Sequence, residues 1–214
     1  MAPGGDPIGD WLHQGPSDPG EVADRYDAWA SGYDDDLASW SYRAPTVVAE
    51  TVVSHQPTAA SVLDVGCGTG LVGRALRVRG FTGQILGLDI SDASLEVARQ
   101  SGAYASLEHA DLQQPLPLPD DSVDALVCVG VMTYLPDVER VWREFARVAR
   151  PGGLVVATQR EDLWDDRRCR AIGEQLQDEG VWTLLEITGP APYLPEGYGG
   201  TPAVDCYYLS ARVS

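Results

Sequence analysis

The sequence predicts an α/β fold: a Rossmann-like, doubly wound, seven-stranded and mostly parallel sheet with an antiparallel edge hairpin and helices on both faces. Three observations carry this. Short apolar runs alternate with amphipathic helical stretches, the order that builds a parallel sheet through helical crossovers. The first run, Val62-Leu-Asp-Val-Gly-Cys-Gly-Thr-Gly70, ends in glycines at every second position before a helical pattern starts at Leu71. The last two runs have no helix between them and read as a hairpin at the sheet edge.

Taken in order, residues 1–20 hold Gly, Pro and Asp with no basic stretch and no apolar core. They read as a flexible tail, not a signal peptide. Residues 21–38 read as one helix with Tyr26, Trp29, Ala30 and Tyr33 on a single face, and 43–55 as a second. Together 21–55 form an N-terminal helical lid on a Rossmann-like core, 56–214, in a single domain spanning 21–214. Strand one is 61–66 and is followed by helix 70–79. Strand two, 84–89, leads to Ser91, an N-cap for helix 92–101. Strand three is 105–109, and Pro115, Pro117 and Pro119 then form a stiff loop. Strand four is 123–129. Helix 137–149 turns Val138, Val141, Trp142, Phe145 and Val148 inward and stops at Pro151-Gly-Gly153. Strand five, 154–159, helix 164–179, and strands 181–187 and 204–212 complete the sheet. Residues 188–202, with four prolines and four glycines, read as a long loop of the kind that is often functional.

Glycines at a strand-to-helix turn permit positive φ and let a ligand lie against bare backbone. In an open α/β sheet that turn is where nucleotides bind. Gly68-Thr-Gly70-Leu-Val-Gly73 satisfies the dinucleotide pattern G-x-G-x-x-G, with Asp89 about 20 residues on. The register argues otherwise, because Gly66 already follows the strand. Asp64 beside the ligand would repel a pyrophosphate and suit a cation. S-adenosylmethionine carries a sulfonium and an ammonium group and no phosphate.

Asp64-Val-Gly-Cys-Gly-Thr-Gly70 resembles the first motif of class I S-adenosylmethionine-dependent methyltransferases, and later segments follow that family's order. Ile85-Leu-Gly-Leu-Asp89 resembles its second strand, His109-Ala-Asp111-Leu112 its third-strand loop, Val123-Asp-Ala-Leu-Val-Cys-Val129 its fourth strand, and Arg150-Pro-Gly-Gly-Leu154 the turn into its fifth. The resemblance implies that Asp89 holds the ribose hydroxyls and Asp111 the adenine amino group. Ile90 and Leu112 would sandwich the adenine. Asp64, Gly66, Cys67, Gly68, Val129 and Gly130 would line the cofactor, with Tyr33 and Arg43 reaching its carboxylate. Tyr26-Asp-Ala-Trp-Ala-Ser-Gly-Tyr-Asp34, Tyr42-Arg-Ala-Pro45, Thr158-Gln-Arg-Glu-Asp-Leu-Trp164 and Pro192-Tyr-Leu-Pro195 are similar to the methyltransferase-like 27 group. The implied product is S-adenosylhomocysteine.

Methyl transfer is an in-line displacement, so the protein chiefly positions and desolvates the reactants. Catalytic residues are therefore harder to read than binding ones. Tyr134, just past strand four, is the candidate catalytic or acceptor-facing residue, and Trp40, Arg160, Trp164 and Tyr193 are candidates to line the acceptor pocket. None of His13, His55 and His109 is well placed as a base.

Thirty-two acidic against 15 basic residues give −17, a field that disfavours nucleic acid and anionic membranes and leaves a small-molecule substrate. The cysteines at 67, 128, 169 and 206 form no CxxC pair, so reduced buried thiols and no metal site are expected. A cytoplasmic monomer or homodimer follows. Three rivals stand beside the methyltransferase reading. They are a cofactor-binding protein with a non-methylating reaction, an NAD-dependent oxidoreductase and a non-enzymatic interaction module.

Overall fold

The computed structural model describes residues 11–12, 15–194 and 203–214. The helices α1 (Pro19–Trp29), α2 (Tyr33–Ser39) and α3 (Ala44–His55) precede the sheet. Asp18 caps α1, its carboxylate accepting the Glu21 N–H at 2.9 Å. The single helix expected over 21–38 is two. The break falls at Ala30–Gly32, where a glycine costs a helix about 1 kcal/mol. Across the break the Trp29 indole donates to Asp36 at 2.6 Å. The Trp29 and Tyr33 rings meet edge-on, their centroids 4.7 Å apart.

The alternating core then runs β1 (Ser61–Val65), α4 (Leu71–Val78), β2 (Gln84–Asp89), α5 (Asp92–Gln100), β3 (Ser106–His109), β4 (Val123–Cys128), α6 (Val138–Val148) and β5 (Ala149–Arg160). Ser91 caps α5 as expected, and Asp137 caps α6. The chain finishes with α7 (Glu161–Asp166), α8 (Cys169–Asp178), β6 (Trp182–Leu194) and β7 (Val204–Val213). The helix expected over 164–179 is interrupted at Arg167–Arg168, where Arg168 takes φ +54. The loop expected over 188–202 is also different. Residues 188–194 continue β6 through several register shifts, and 195–202 lie outside the described residues.

The sheet order is β3-β2-β1-β4-β5-β7-β6. Strands β1 to β5 pair in parallel. The last strand, β7, is inserted antiparallel between β5 and β6. Successive strand residues point to opposite faces, and each face buries its own core. Leu63, Leu126, Trp142, Phe145 and Trp164 pack on one. Val62, Ile85 and Val127 meet Val48, Val52 and Leu76 on the other. Burying each such side chain contributes about 1.5–3 kcal/mol. Chain order reverses between β1 and β4, so a crevice opens at their carboxyl ends.

A third apolar cluster covers that crevice: Trp11, Leu12, Val22 and Trp29 against Tyr134, Leu194 and Val204. The reading of 1–20 as a tail therefore does not hold for Trp11 and Leu12, which are buried. A tryptophan gains more from joining an aromatic cluster than it loses in chain entropy. Among the described residues no helix is long and apolar enough to cross a membrane.

Candidate functional site

Strand β1 delivers the chain to the crevice, and Gly66 and Gly68 turn it with φ +74 and +52. At Gly66 a Cβ would stand 2.2 Å from Val131 Cγ2. At Gly68 a Cβ would meet no protein atom within 4 Å, so that bare backbone faces open space. Asp89, at the end of β2, locks the turn. Its Oδ2 accepts the Gly68 N–H at 2.7 Å, and its Oδ1 accepts the Ser91 N–H at 2.9 Å. Burial pushes the Asp89 carboxyl above its ordinary value, against the pull of these amides.

Asp64 is fully buried. Its Oδ2 accepts from the Tyr104 hydroxyl at 2.6 Å, and that hydroxyl in turn accepts the Gly73 N–H at 3.0 Å. Its Oδ1 is buried with no hydrogen-bond partner. Desolvation raises the carboxyl to about 7, although the Tyr104 bond opposes this. Such an orphaned oxygen is costly unless a ligand donor reaches it.

The crevice is a chain of hollows. One is lined by Gly66, Gly68, Asp89, Ile90, Leu112 and Val129. On one side it shares Ile90 and Leu112 with a recess that contains Asp111 and Gln113. On another it shares Tyr33, Gly66 and Gly68 with a hollow reaching Cys67 and Thr69. Tyr26, Tyr33, Gly130 and Tyr134 also line an aromatic chamber, whose wall includes Trp29, Trp40, Tyr42, Arg160 and Tyr193. Gly130 matters here because a Cβ would press on the Tyr193 and Tyr42 hydroxyls at 3.1 and 3.2 Å.

Two aspartates pin the N-terminal helices over these hollows. Asp27 of α1 accepts the Ser91 hydroxyl at 2.6 Å and the Ala93 N–H at 3.1 Å. Asp34 of α2 accepts from Thr69 and from Arg74, each at 2.5 Å. Inside the chamber the Tyr26 and Tyr134 hydroxyls lie 2.9 Å apart. Burial pushes the Tyr134 phenol up to about 12, and holds Tyr26, Tyr33 and Tyr42 well above their usual range. These are proton donors at neutral pH.

The structure thus brings Tyr33, Gly66, Gly68, Asp89, Ile90, Leu112, Val129 and Gly130 to one hollow, with Asp111 and Cys67 in its neighbours. Trp40, Tyr134, Arg160 and Tyr193 share the chamber. Three expected residues line none of these hollows. Asp64 is fully buried and is absent from their walls. Arg43 lines a separate surface hollow with Val47, Thr188 and Tyr208, because it stands at the outer start of α3. Trp164 is 2% exposed in the core, stacked on Tyr207 at 4.7 Å, so it does not wall the acceptor pocket. Val22, Tyr42, Val131 and Gln113 also line the crevice. No local pattern distinguishes them from ordinary packing residues.

Residues 63–157 match a family described as a methyltransferase domain. The chain is 36% identical over 174 residues to human methyltransferase-like protein 27, which spans 75% of this chain and 67% of that relative. It is 39% identical over 107 residues to demethylmenaquinone methyltransferase of Bacillus licheniformis, covering 48% of this chain and 46% of that protein. The crystal structure of the [4+2]-cyclase SpnF shares its fold with a TM-score of 0.67 at 21% identity, over 92% of this chain and 98% of the other.

Proposed function

Because the chain belongs to the class I S-adenosylmethionine-dependent methyltransferases, we propose that it moves a methyl group from that donor to a small molecule held in the aromatic chamber. One observation carries the reading. Tyr26, Tyr33, Gly130 and Tyr134 line both the hollow at the glycine turn and the chamber, so a donor in the first faces an acceptor in the second.

The residues present fit the donor. The orphaned Oδ1 of Asp64 suits a cationic ammonium group, and the bare Cα of Gly68 gives the ligand room against the backbone. Asp89 would accept the ribose hydroxyls with the lone pairs that its two amide bonds leave over. Ile90 and Leu112 would enclose the adenine, with Asp111 accepting from its amino group. Tyr33 would turn its hydroxyl toward the donor's carboxylate. Bound there, the donor supplies an electrophilic methyl carbon on a cationic sulfur.

The protein's part is positioning and exclusion of water. Helices α1 and α2 close the crevice through Asp27 and Asp34, and the chamber's rings desolvate whatever enters. Tyr134 is not a general base, since burial keeps its phenol protonated. The net charge of −17 turns polyanions such as RNA away.

Calorimetry of the purified chain with S-adenosylmethionine and with S-adenosylhomocysteine tests the donor, and S-adenosylhomocysteine release across a small-molecule panel tests transfer. Binding of both nucleosides with turnover on a small molecule is expected. No binding of either, or turnover on RNA or protein alone, would overturn the proposal.

A further inference from the structure

We propose that Tyr104 is a positioning residue for the methyl donor: it holds the Asp64 carboxyl beneath the glycine turn and supplies the hydrogen bond that lets this buried group carry charge beside a cationic ligand. The proposal rests on the methyl-transfer reading above. It adds a residue that lines neither the donor hollows nor the chamber.

The room for Tyr104 is built into the chain. Its ring comes from the segment between α5 and β3, 31 residues from Gly73 and 40 from Asp64. A Cβ at Gly73 would stand 2.4 Å from the ring's Cζ and 2.6 Å from its hydroxyl oxygen. A Cβ at Gly70 or Gly87 would stand 3.0 or 3.1 Å from other ring atoms. Gly70 and Gly73 are the last two glycines of the G-x-G-x-x-G pattern. In this chain that pattern clears space for a tyrosine ring.

The hydroxyl is used twice. Gly73 is the third residue of α4, and the first amides of a helix have no partner within it. Gly70, at the cap position, has no side chain to satisfy them. Tyr104 accepts the Gly73 N–H at 3.0 Å, which leaves its own O–H to donate to Asp64 Oδ2 at 2.6 Å. Burial holds the phenol protonated, so the direction of that second bond is fixed. An amide donating into a hydroxyl polarises it and strengthens the bond it gives onward.

The groups acting on Asp64 are Tyr104, Asp89 at the end of β2, Cys67 in the turn and Cys128 on β4. None is a cation. Asp89 repels the carboxylate, and burial keeps both thiols neutral. Of these groups Tyr104 alone favours the charged form. Burial raises a carboxyl pKa and a donated hydrogen bond lowers it; together they leave Asp64 at about 7. At that value the field of a bound cation suffices to send the proton to solvent. Asp64 lines no hollow, so it acts from beneath the turn whose Gly66 and Gly68 face the ligand.

The test compares S-adenosylhomocysteine binding by the full chain and by Tyr104→Phe, using calorimetry from pH 6 to 9. The ligand's own titration is common to both proteins, so the ratio of affinities reports on the protein. Losing the O–H should raise the Asp64 pKa by about one unit. The variant is then expected to bind about tenfold more weakly at pH 6, about fivefold at pH 7 and within about twofold at pH 9. The same substitution made in Asp64→Asn is expected to change affinity less than about twofold at any pH. Tyr104→Leu also lacks the hydroxyl but packs differently, and it is expected to show the same closing gap.

A gap of constant size across the pH range would make Tyr104 a packing residue and overturn the proposal. So would equal affinities, an undiminished gap in the Asp64→Asn background, or loss of the fold in both hydroxyl-free variants. Absence of binding by the unaltered chain would remove the methyl-transfer reading, and this proposal with it.

Discussion

Asp89 and Gly68 are joined by a 2.7 Å hydrogen bond from the Gly68 N–H to the Asp89 carboxylate, which ties the end of the second strand to the glycine turn after the first. One side chain therefore sets the turn's shape and, in the proposed complex, grips the ribose. Asp89→Ala should weaken S-adenosylmethionine binding by about 1–3 kcal/mol, the scale for losing charge-assisted hydrogen bonds. Calorimetry checks this, and an unaltered affinity would remove Asp89 from the ribose role.

The two turn glycines should fail differently. Gly66→Ala drives a Cβ into Val131 at 2.2 Å at a positive φ, so it should lower the melting temperature by several degrees. Gly68→Ala meets nothing within 4 Å, and strain at φ +52 costs about 1–2 kcal/mol. It should fold yet bind donor at least tenfold more weakly, because its methyl enters the ligand's space. Paired melts and titrations distinguish them; equal losses of stability would contradict the geometry.

In the proposed complex Asp64 should make donor binding pH-dependent. Its folded pKa is raised from 3.8 to about 7 by desolvation. The folded state therefore holds an extra proton between those values. The stability it contributes is complete below the ordinary carboxyl range and is lost as pH rises to about 7. A bound ammonium cation favours the ionised form, so donor affinity should strengthen as pH rises from about 6 to 8. Asp64→Asn should flatten that dependence. Titrations of both proteins across the range decide it, and identical slopes would assign the proton elsewhere.

The lid should loosen when its latch is cut. Asp34→Ala removes hydrogen bonds from Thr69 and Arg74. Since the ion pair is about one-third exposed on both sides, the loss should be only about 1 kcal/mol. Global stability should change little. Limited proteolysis near residues 30–40 should accelerate, and donor should dissociate faster. Unchanged cleavage would show that α2 is held by its aromatic contacts alone.

Placement in space also corrects two residues in a measurable way. Trp164→Ala should destabilise the fold by about 3–5 kcal/mol as a core cavity, whereas Trp164→Phe should recover most of it. Arg43→Ala should leave donor affinity unchanged, since Arg43 lines a different hollow. A weakened donor in Arg43→Ala, without loss of stability, would restore it to the site.

Local chemistry was enough for much of the molecule. A strand needs only a run such as Val62–Val65 beside a glycine turn, a cap needs only Ser91 ahead of an amphipathic run, and an acid closing β2 needs only Asp89. These features are legible because periodicity, φ > 0 and capping act over a few residues. The alternating order of strands and helices likewise restricts the sheet to a doubly wound, mostly parallel type.

What tertiary structure alone decided involves partners far apart in the chain. Asp27 reaches Ser91 and Asp34 reaches Thr69, yet nothing near either aspartate marks it as a latch. Trp40 and Trp164 look alike as letters, and only packing sends one to the chamber and the other to the core. The tail reading missed that Trp11 has an aromatic cluster to join. Residues 188–194 read as loop because their prolines and glycines weaken a strand on its own, but pairing with β7 outweighs that weakness. Propensity is a property of neighbours along the chain; burial is a property of neighbours in space, and it is worth more free energy.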